Sequence, residues 1–276
     1  MQSNDEETAK PRTTEVKLSS WEEFEERVTA LDPGNERRVW DEVWFRGQAD
    51  ARWALETTLE RRSRGTQVSD YLRVIQRIKP SVETFTGLTF DMPPYQVIEQ
   101  SCRQFDLFQG FMFESATYMA HLRHGGFPSP LLDWSHSPYV AAFFAFSKAR
   151  DPSHEVAIYA YREHPGIAKF GGSDEPNIFS MGPYIRTHNR HFRQQSRYTF
   201  CAQFIDGHWY FAPHDSVFKI TSRLEQDLLW KFTIPASERR KVLRHFDKFN
   251  MNEYTLFASE EGLLEMLAMR EIDLRE

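Results

Sequence analysis

Cysteine is scarce. Cys102 and Cys201 are the only two in 276 residues and form no CxxC pair, so they read as reduced, buried thiols of a cytoplasmic protein, with no disulfide framework. Long apolar runs are missing, and no segment reads as a membrane span or a signal peptide. Positive charge is not in excess. With 34 Lys and Arg against 40 Asp and Glu, a net charge of −6, no global field draws the chain onto nucleic acid, though a local patch remains open. There is no Gly-x-Ser-x-Gly elbow and no His-Glu-x-x-His, and Gly171-Gly172 lacks the Lys-Ser/Thr of a phosphate loop. Aromatics are plentiful: 23 Phe, 10 Tyr and 7 Trp within a 40% hydrophobic composition imply an aromatic-heavy core. The length suits one large domain or two small ones.

Residues 1–17 are polar and aperiodic and read as a disordered lead, with 18–276 as a single domain. Ser20-Trp-Glu-Glu23 is a capping box opening a helix to Leu31. Val39 to Phe45 has strand spacing. Trp53 to Arg62 and Asp70 to Lys79 read as helices, the second closed by Pro80. Helical character runs from Tyr95 to His124 and stops at Gly125-Gly126. Strands are expected at Val156–Tyr161, Tyr198–Ile205 and Leu228–Ile234, an irregular loop at His164–Pro183, and helices at Ala236–Phe249 and Glu260–Ile272. Phe105, Phe108, Phe111, Met112 and Phe113 read as core. Helices mixed with scattered strands, without a βαβ rhythm, point to an α+β fold.

The densest chemistry lies in His121-Leu-Arg-His-Gly-Gly-Phe-Pro-Ser-Pro-Leu-Leu-Asp-Trp-Ser-His-Ser-Pro138. It reads as a turn, a short buried strand, a polar elbow, and an apolar helix capped by Ser137 with Pro138 at its first position. Polar clusters at strand-to-helix elbows are where α/β proteins place ligands. Asp133 reads as an acceptor of backbone N–H groups at the elbow, or as an acid. Ser135 is a helix-entrance hydroxyl, or a ligand contact. His121 and His124 sit three apart, but no carboxylate or Cys completes a metal set, so His124 reads as complementing the helix dipole and no metal is expected. Arg186, His188, Arg190, His191, Arg193 and Arg197, interleaved with Phe192 and Tyr198, form a basic cluster suited to phosphate or a nucleic-acid strand, or a solvated helix face.

Trp44-Phe-Arg-Gly-Gln48, the Leu131-Leu-Asp-Trp-Ser135 block with Ala142-Phe-Phe-Ala145, and the segment from Arg190 to Tyr198 together resemble the FRG family, over about residues 36 to 270. Ser196 stands where that family has Gly, and Pro130 where it has a basic residue. More distantly, the order of Arg, Ser and a polar residue at three strand ends is similar to the ADP-ribosyltransferase fold, a small split antiparallel or mixed β core surrounded by helices. That likeness implies an enzyme that cleaves NAD and transfers ADP-ribose to a protein or nucleic-acid acceptor. It also implies a toxin or antiphage role, with a neutralising or effector partner protein. It places Arg46 on the pyrophosphate, where a guanidinium binds oxygens as a fork, with Ser135 on the ribose and Gln195 in the place of the usual Glu. Gly47, His124, Asp133 and Arg190 join the NAD-binding set, Gly47 by allowing close backbone approach. Because Gln195 brings no negative charge to an oxocarbenium-like transition state, Glu225 and Asp227 are the expected source of a carboxylate, or an ordinary solvated strand end. A non-catalytic nucleotide, phosphate or nucleic-acid binding module is the alternative, and a hydrolase pairing Asp133 with His124 or His136 is a third.

Overall fold

The computed structural model describes residues 12–31, 42–103, 108–163, 169, 174–181, 185–220 and 226–275. Its centre is β4 (Glu155–Arg162), whose six inner residues are all buried. Val156, Ile158 and Ala160 face one layer of helices, while Ala157, Tyr159 and Tyr161 face an aromatic cluster on the other side. Such a two-faced strand carries no polar alternation, because water reaches neither side. Around it lie β1 (Thr13–Lys17), β2 (Val43–Gln48), β3 (Leu132–Ser135), β5 (Asn177–Met181), β6 (Ser196–Ile205), β7 (His208–Phe211) and β8 (Leu228–Pro235). They form one eight-stranded mixed sheet ordered β1-β8-β4-β2-β3-β6-β5, with β7 also on β6. The β1–β8 pair is parallel, and the others are antiparallel. The fold is α+β, and its sheet is larger than the small core expected.

Helix α5 (Pro138–Ser147) packs on β2 with seven buried residues. Each Phe so buried is worth about 1.5–3 kcal/mol. Ser137 caps it, its Oγ accepting from the Val140 N–H. Gly47 explains how close the helix comes. A Cβ there would lie 1.8 Å from the Ala141 carbonyl oxygen and 2.8 Å from the Ala145 nitrogen. The same layer holds α1 (Trp21–Thr29) and α8 (Arg239–Lys248), whose Trp21, Phe24 and Phe246 meet Phe146 and Phe232. Over the distal strands, α2 (Val68–Thr86), α3 (Tyr95–Ser101) and α4 (Phe108–His124) bury Tyr71, Ile75, Tyr118 and Met119 against Tyr198 and Phe200. The short helices α6 (Arg190–Arg193), α7 (His214–Val217) and α9 (Glu253–Phe257), with α10 (Glu260–Ala268), complete the described set.

Several expectations need correction. Residues 13–17 of the supposed lead form β1, while 1–11 lie outside the described residues. Residues 53–62 make turns, the Leu59 N–H donating to the Ser129 carbonyl outside the segment instead of closing a helical turn. Pro80 lies inside α2, where the apolar stripe continues through Ile78 and Val82, and the helix ends at Gly87 with φ 69°. β5 occupies part of the supposed loop, and β7 is additional. Met112 is buried but Phe113 is exposed, while Phe105 and the side chains of Phe108 and Phe111 lie outside the described residues. The glycine stop after α4 is present: Gly126 has φ 84°, and the N–H groups of Gly126 and Phe127 donate to the carbonyls of Arg123 and Leu122.

Among the described residues, no helix is long and apolar enough to cross a membrane.

Candidate functional site

β2 and β3 share one registered pair, Phe45 opposite Ser135, whereas β2 pairs along its whole length with β4 and β3 along its whole length with β6. At this seam the Arg46 guanidinium replaces the missing ladder, donating from Nη1 to the Asp133 carbonyl at 2.7 Å. A cavity of about 370 Å³ opens here, within the range of roughly 300–1,000 Å³ usual for ligand pockets. Sheet residues Arg46, Gly47, Asp133, Ser135 and Ser196 line it. Ala141 and Phe144 of α5 add one wall, Arg123 and His124 at the end of α4 another, and Arg190, Gln194 and Phe257 a third. Residues 46 and 135, far apart in sequence, thus line one cavity.

The site is cationic. The Asp133 carboxylate meets Arg123 through Oδ2, at 3.0 Å from Nε and 2.8 Å from Nη2, so its side chain serves a neighbouring helix rather than capping the elbow. Among the described residues neither Arg46 nor Arg190 has a carboxylate partner, and the Nε of each is enclosed without a hydrogen-bond acceptor. Burial lowers the Arg46 pKa to about 10, against the attraction of Asp133 and with the repulsion of Arg123. Arg190 lies over the Phe257 ring at 5.2 Å, a cation–π contact. The Oδ1 of Asp133 is likewise enclosed and unpartnered. Buried polar atoms without partners are uncommon and costly. Two arginines without carboxylate partners on one cavity suit a ligand bearing anionic oxygens.

The remaining expected residues sort clearly. Ser135 donates from Oγ to the Gln194 carbonyl at 2.7 Å and accepts from the Ser137 N–H at 3.0 Å, so its one proton orders the elbow. Gly47 lines the cavity, but its missing Cβ makes room for α5 rather than for a ligand. His124 bonds through Nε2 to the Tyr198 hydroxyl at 2.8 Å, and burial lowers its pKa; held neutral, it does not act as a dipole cation. His121 packs on Phe90 and does not line the cavity.

Gln195 is outside the cavity, exposed on a turn with φ 49°, its carbonyl accepting from the His136 N–H. The left-handed residue is therefore Gln195, and Ser196, where glycine was the family expectation, sits in regular strand pairing with Ser135. Asp227 is also outside. It is 1% exposed and held by Arg12 at 3.1 Å, Lys169 at 2.7 Å and the Tyr161 hydroxyl at 2.5 Å, a buried network that anchors the N-terminal strand rather than a solvated strand end. Glu225 lies outside the described residues. The basic cluster divides. Arg190 enters the cavity, His191 is buried, Arg197 is half-buried, and Phe192, Arg186 and Arg193 are exposed.

Sequence reasoning missed Arg123, Gln194 and Phe257. Arg123 stood inside the densest motif as the cation nearest Asp133, and Gln194 is one residue from the position chosen. Phe257, in a Leu256-Phe257 pair that also fits the family resemblance, reaches the cavity through the packing of α9. Among the described residues no group of three or more His, Cys, Asp or Glu could hold a metal ion.

No curated protein matches this chain, and no solved structure matches it. A family model does, over the span that supplies β2, the end of α4, β3 and α5. That span is shorter than the resemblance read from sequence, and it leaves Arg190, Gln194, Ser196 and Phe257 beyond its end. The matching model is that of the FRG domain, and it covers residues 41–154 of the chain.

Proposed function

We propose that the cavity at the β2–β3 seam binds NAD and that the protein is an ADP-ribosyltransferase-like enzyme. One observation carries the reading: Arg46 and Arg190, neither with a carboxylate partner among the described residues, line the same cavity as Asp133. The arginines take pyrophosphate oxygens. A volume near the lower end of the usual range suits the nicotinamide ribose half of the dinucleotide, with the adenosine half at the mouth. In transfer, the ribose–nicotinamide C–N bond breaks, its electron pair leaves with nicotinamide, and an acceptor oxygen bonds to the ribose carbon. Asp133, the carboxylate that lines the cavity, replaces Gln195 and Asp227 as the group that stabilises the developing positive charge. The acceptor is a protein or nucleic acid, and a toxin or antiphage role with a neutralising partner belongs to the same reading.

A second reading is a nucleotide-binding module without turnover. It is favoured by Arg123, which already neutralises Asp133 at 2.8 Å. Incubation with NAD and a lysate, read as nicotinamide release and labelled product, separates the two. Arg46→Ala is expected to cut turnover by at least about 100-fold and to cost about 1–3 kcal/mol of stability, since the Asp133 carbonyl loses its donor at the seam, without unfolding the protein. A folded Arg46→Ala protein with the wild-type rate refutes the assignment. Binding of NAD without release of nicotinamide supports the module.

A further inference from the structure

Behind the cavity, three side chains form a chain of hydrogen bonds. His124 lines the cavity, and its Nε2 lies 2.8 Å from the Tyr198 hydroxyl. The same hydroxyl lies 3.1 Å from Nδ1 of His191. Tyr198 is fully buried and His191 nearly so. The His191 ring stacks on Tyr198 with centroids 5.7 Å apart and 20° between planes. The residues come from three elements, α4, β6 and α6. A phenol has one proton to donate. Between two neutral imidazoles it therefore donates to one ring and accepts from the other, and reversing that order moves a proton across the chain. Nδ1 of His124 has no protein partner among the described residues.

We infer that His124, Tyr198 and His191 are a proton relay for the cavity, in which His124 deprotonates a hydroxyl acceptor while Tyr198 and His191 position and drain it. The inference rests on the NAD reading above and deepens it. The acceptor proton passes to His124 Nδ1 as its oxygen bonds to the ribose carbon and the nicotinamide C–N electron pair departs. The His124 Nε2 proton moves to the Tyr198 oxygen, and the phenol proton moves to His191 Nδ1. The positive charge lost from the nicotinamide ring thus reappears on His191, which returns its proton to solvent.

The groups facing this chain set its balance. Asp133 on β3 favours a charged His124, while Arg123, Arg190 and His188 oppose it. His191 is faced by Arg197 and His124. Both imidazoles are kept neutral chiefly by burial. A neutral ring is the form that accepts a proton.

The test compares the whole protein with Tyr198→Phe and His191→Asn, measuring nicotinamide release from NAD over the pH range and NAD affinity separately. Asn preserves a hydrogen-bonding side chain toward Tyr198 but does not titrate, so a purely structural role survives it. The expected result is a fall in kcat of about 100-fold in both variants, unchanged NAD affinity, and a flattened acidic limb of the pH profile. Wild-type kcat in His191→Asn overturns the relay. If the wild-type protein binds NAD but releases no nicotinamide, the transferase reading fails, and histidine ¹⁵N spectra of the same proteins decide the chain on its own. Tyr198→Phe is then expected to shift both His124 Nε2 and His191 Nδ1, and an unmoved His124 overturns it.

Discussion

Gly47→Ala puts the central packing contact to the test. The added methyl carbon would stand 1.8 Å from the Ala141 carbonyl oxygen, 2.8 Å from the Ala145 nitrogen and 2.9 Å from the Ala141 carbonyl carbon. All three are backbone atoms, so no rotamer change relieves the clash. Restoring even a 3.0 Å separation requires α5 to move by about 1.2 Å. That helix carries seven buried residues between the sheet and α8, and close-packed interiors do not yield by such amounts without opening voids. Overpacking usually costs 1–3 kcal/mol and occasionally more, and a backbone clash against a buried helix belongs at the upper end, about 4 kcal/mol. At roughly 2–4 °C per kcal/mol for a chain of this size, the melting temperature falls by about 8–16 °C. Thermal melts followed by circular dichroism, with urea titration for the midpoint, measure it. Gly65→Ala is the control, since its φ of 64° costs only conformational energy, about 1–2 kcal/mol, and nothing lies within 4 Å of the new carbon. A Gly47→Ala protein melting within 2 °C of wild type refutes the packing account; if NAD turnover alone were lost, Gly47 would serve ligand approach instead.

Asp227→Asn leaves the buried Arg12 and Lys169 without their shared carboxylate and is expected to cost about 3–5 kcal/mol in urea unfolding; an unchanged midpoint refutes the anchoring role. His214 is fully enclosed, its pKa lowered by burial from 6.5 to about 3. Below pH 6.5 the unfolded chain therefore takes a proton that the folded protein refuses. Stability from this group is complete above that pH and falls by about 1.4 kcal/mol per unit toward pH 3, a slope that His214→Asn removes; an identical slope in the variant excludes His214 as its source. Gln195→Gly keeps the left-handed turn and touches no cavity atom, so on the proposed NAD reading it leaves nicotinamide release within about twofold of wild type, whereas Gln194→Ala lowers it; the reverse order restores Gln195 to the site.

Local rules made much of this molecule legible. Ser137 and Pro138 mark the start of α5, and Gly125-Gly126 mark the end of α4, because capping and left-handed turns depend on a few adjacent residues. That Arg46, Asp133, Ser135 and His124 line one cavity was partly readable, because polar residues gather at strand ends and elbows. Long-range burial was not readable. Asp227 looks like a strand-end carboxylate until Arg12, 215 residues away, is placed beside it. Polar Thr13–Lys17 becomes a strand only because β8 offers an open edge. Trp53–Arg62 has helical composition but spends its N–H groups on Glu60 and on Ser129 across a turn.

The parallel pairing of β1 with β8 has a consequence for synthesis. Thr13 lies beside Leu229, so the first strand emerges from the ribosome with no edge to join. At roughly 5–20 residues per second it waits about 10–40 s for its neighbour. Contacts this distant in sequence close late and slow the search for the native state. Until they close, β8 keeps one row of peptide groups open to any extended chain nearby, so chaperone demand during production should concentrate at that final closure.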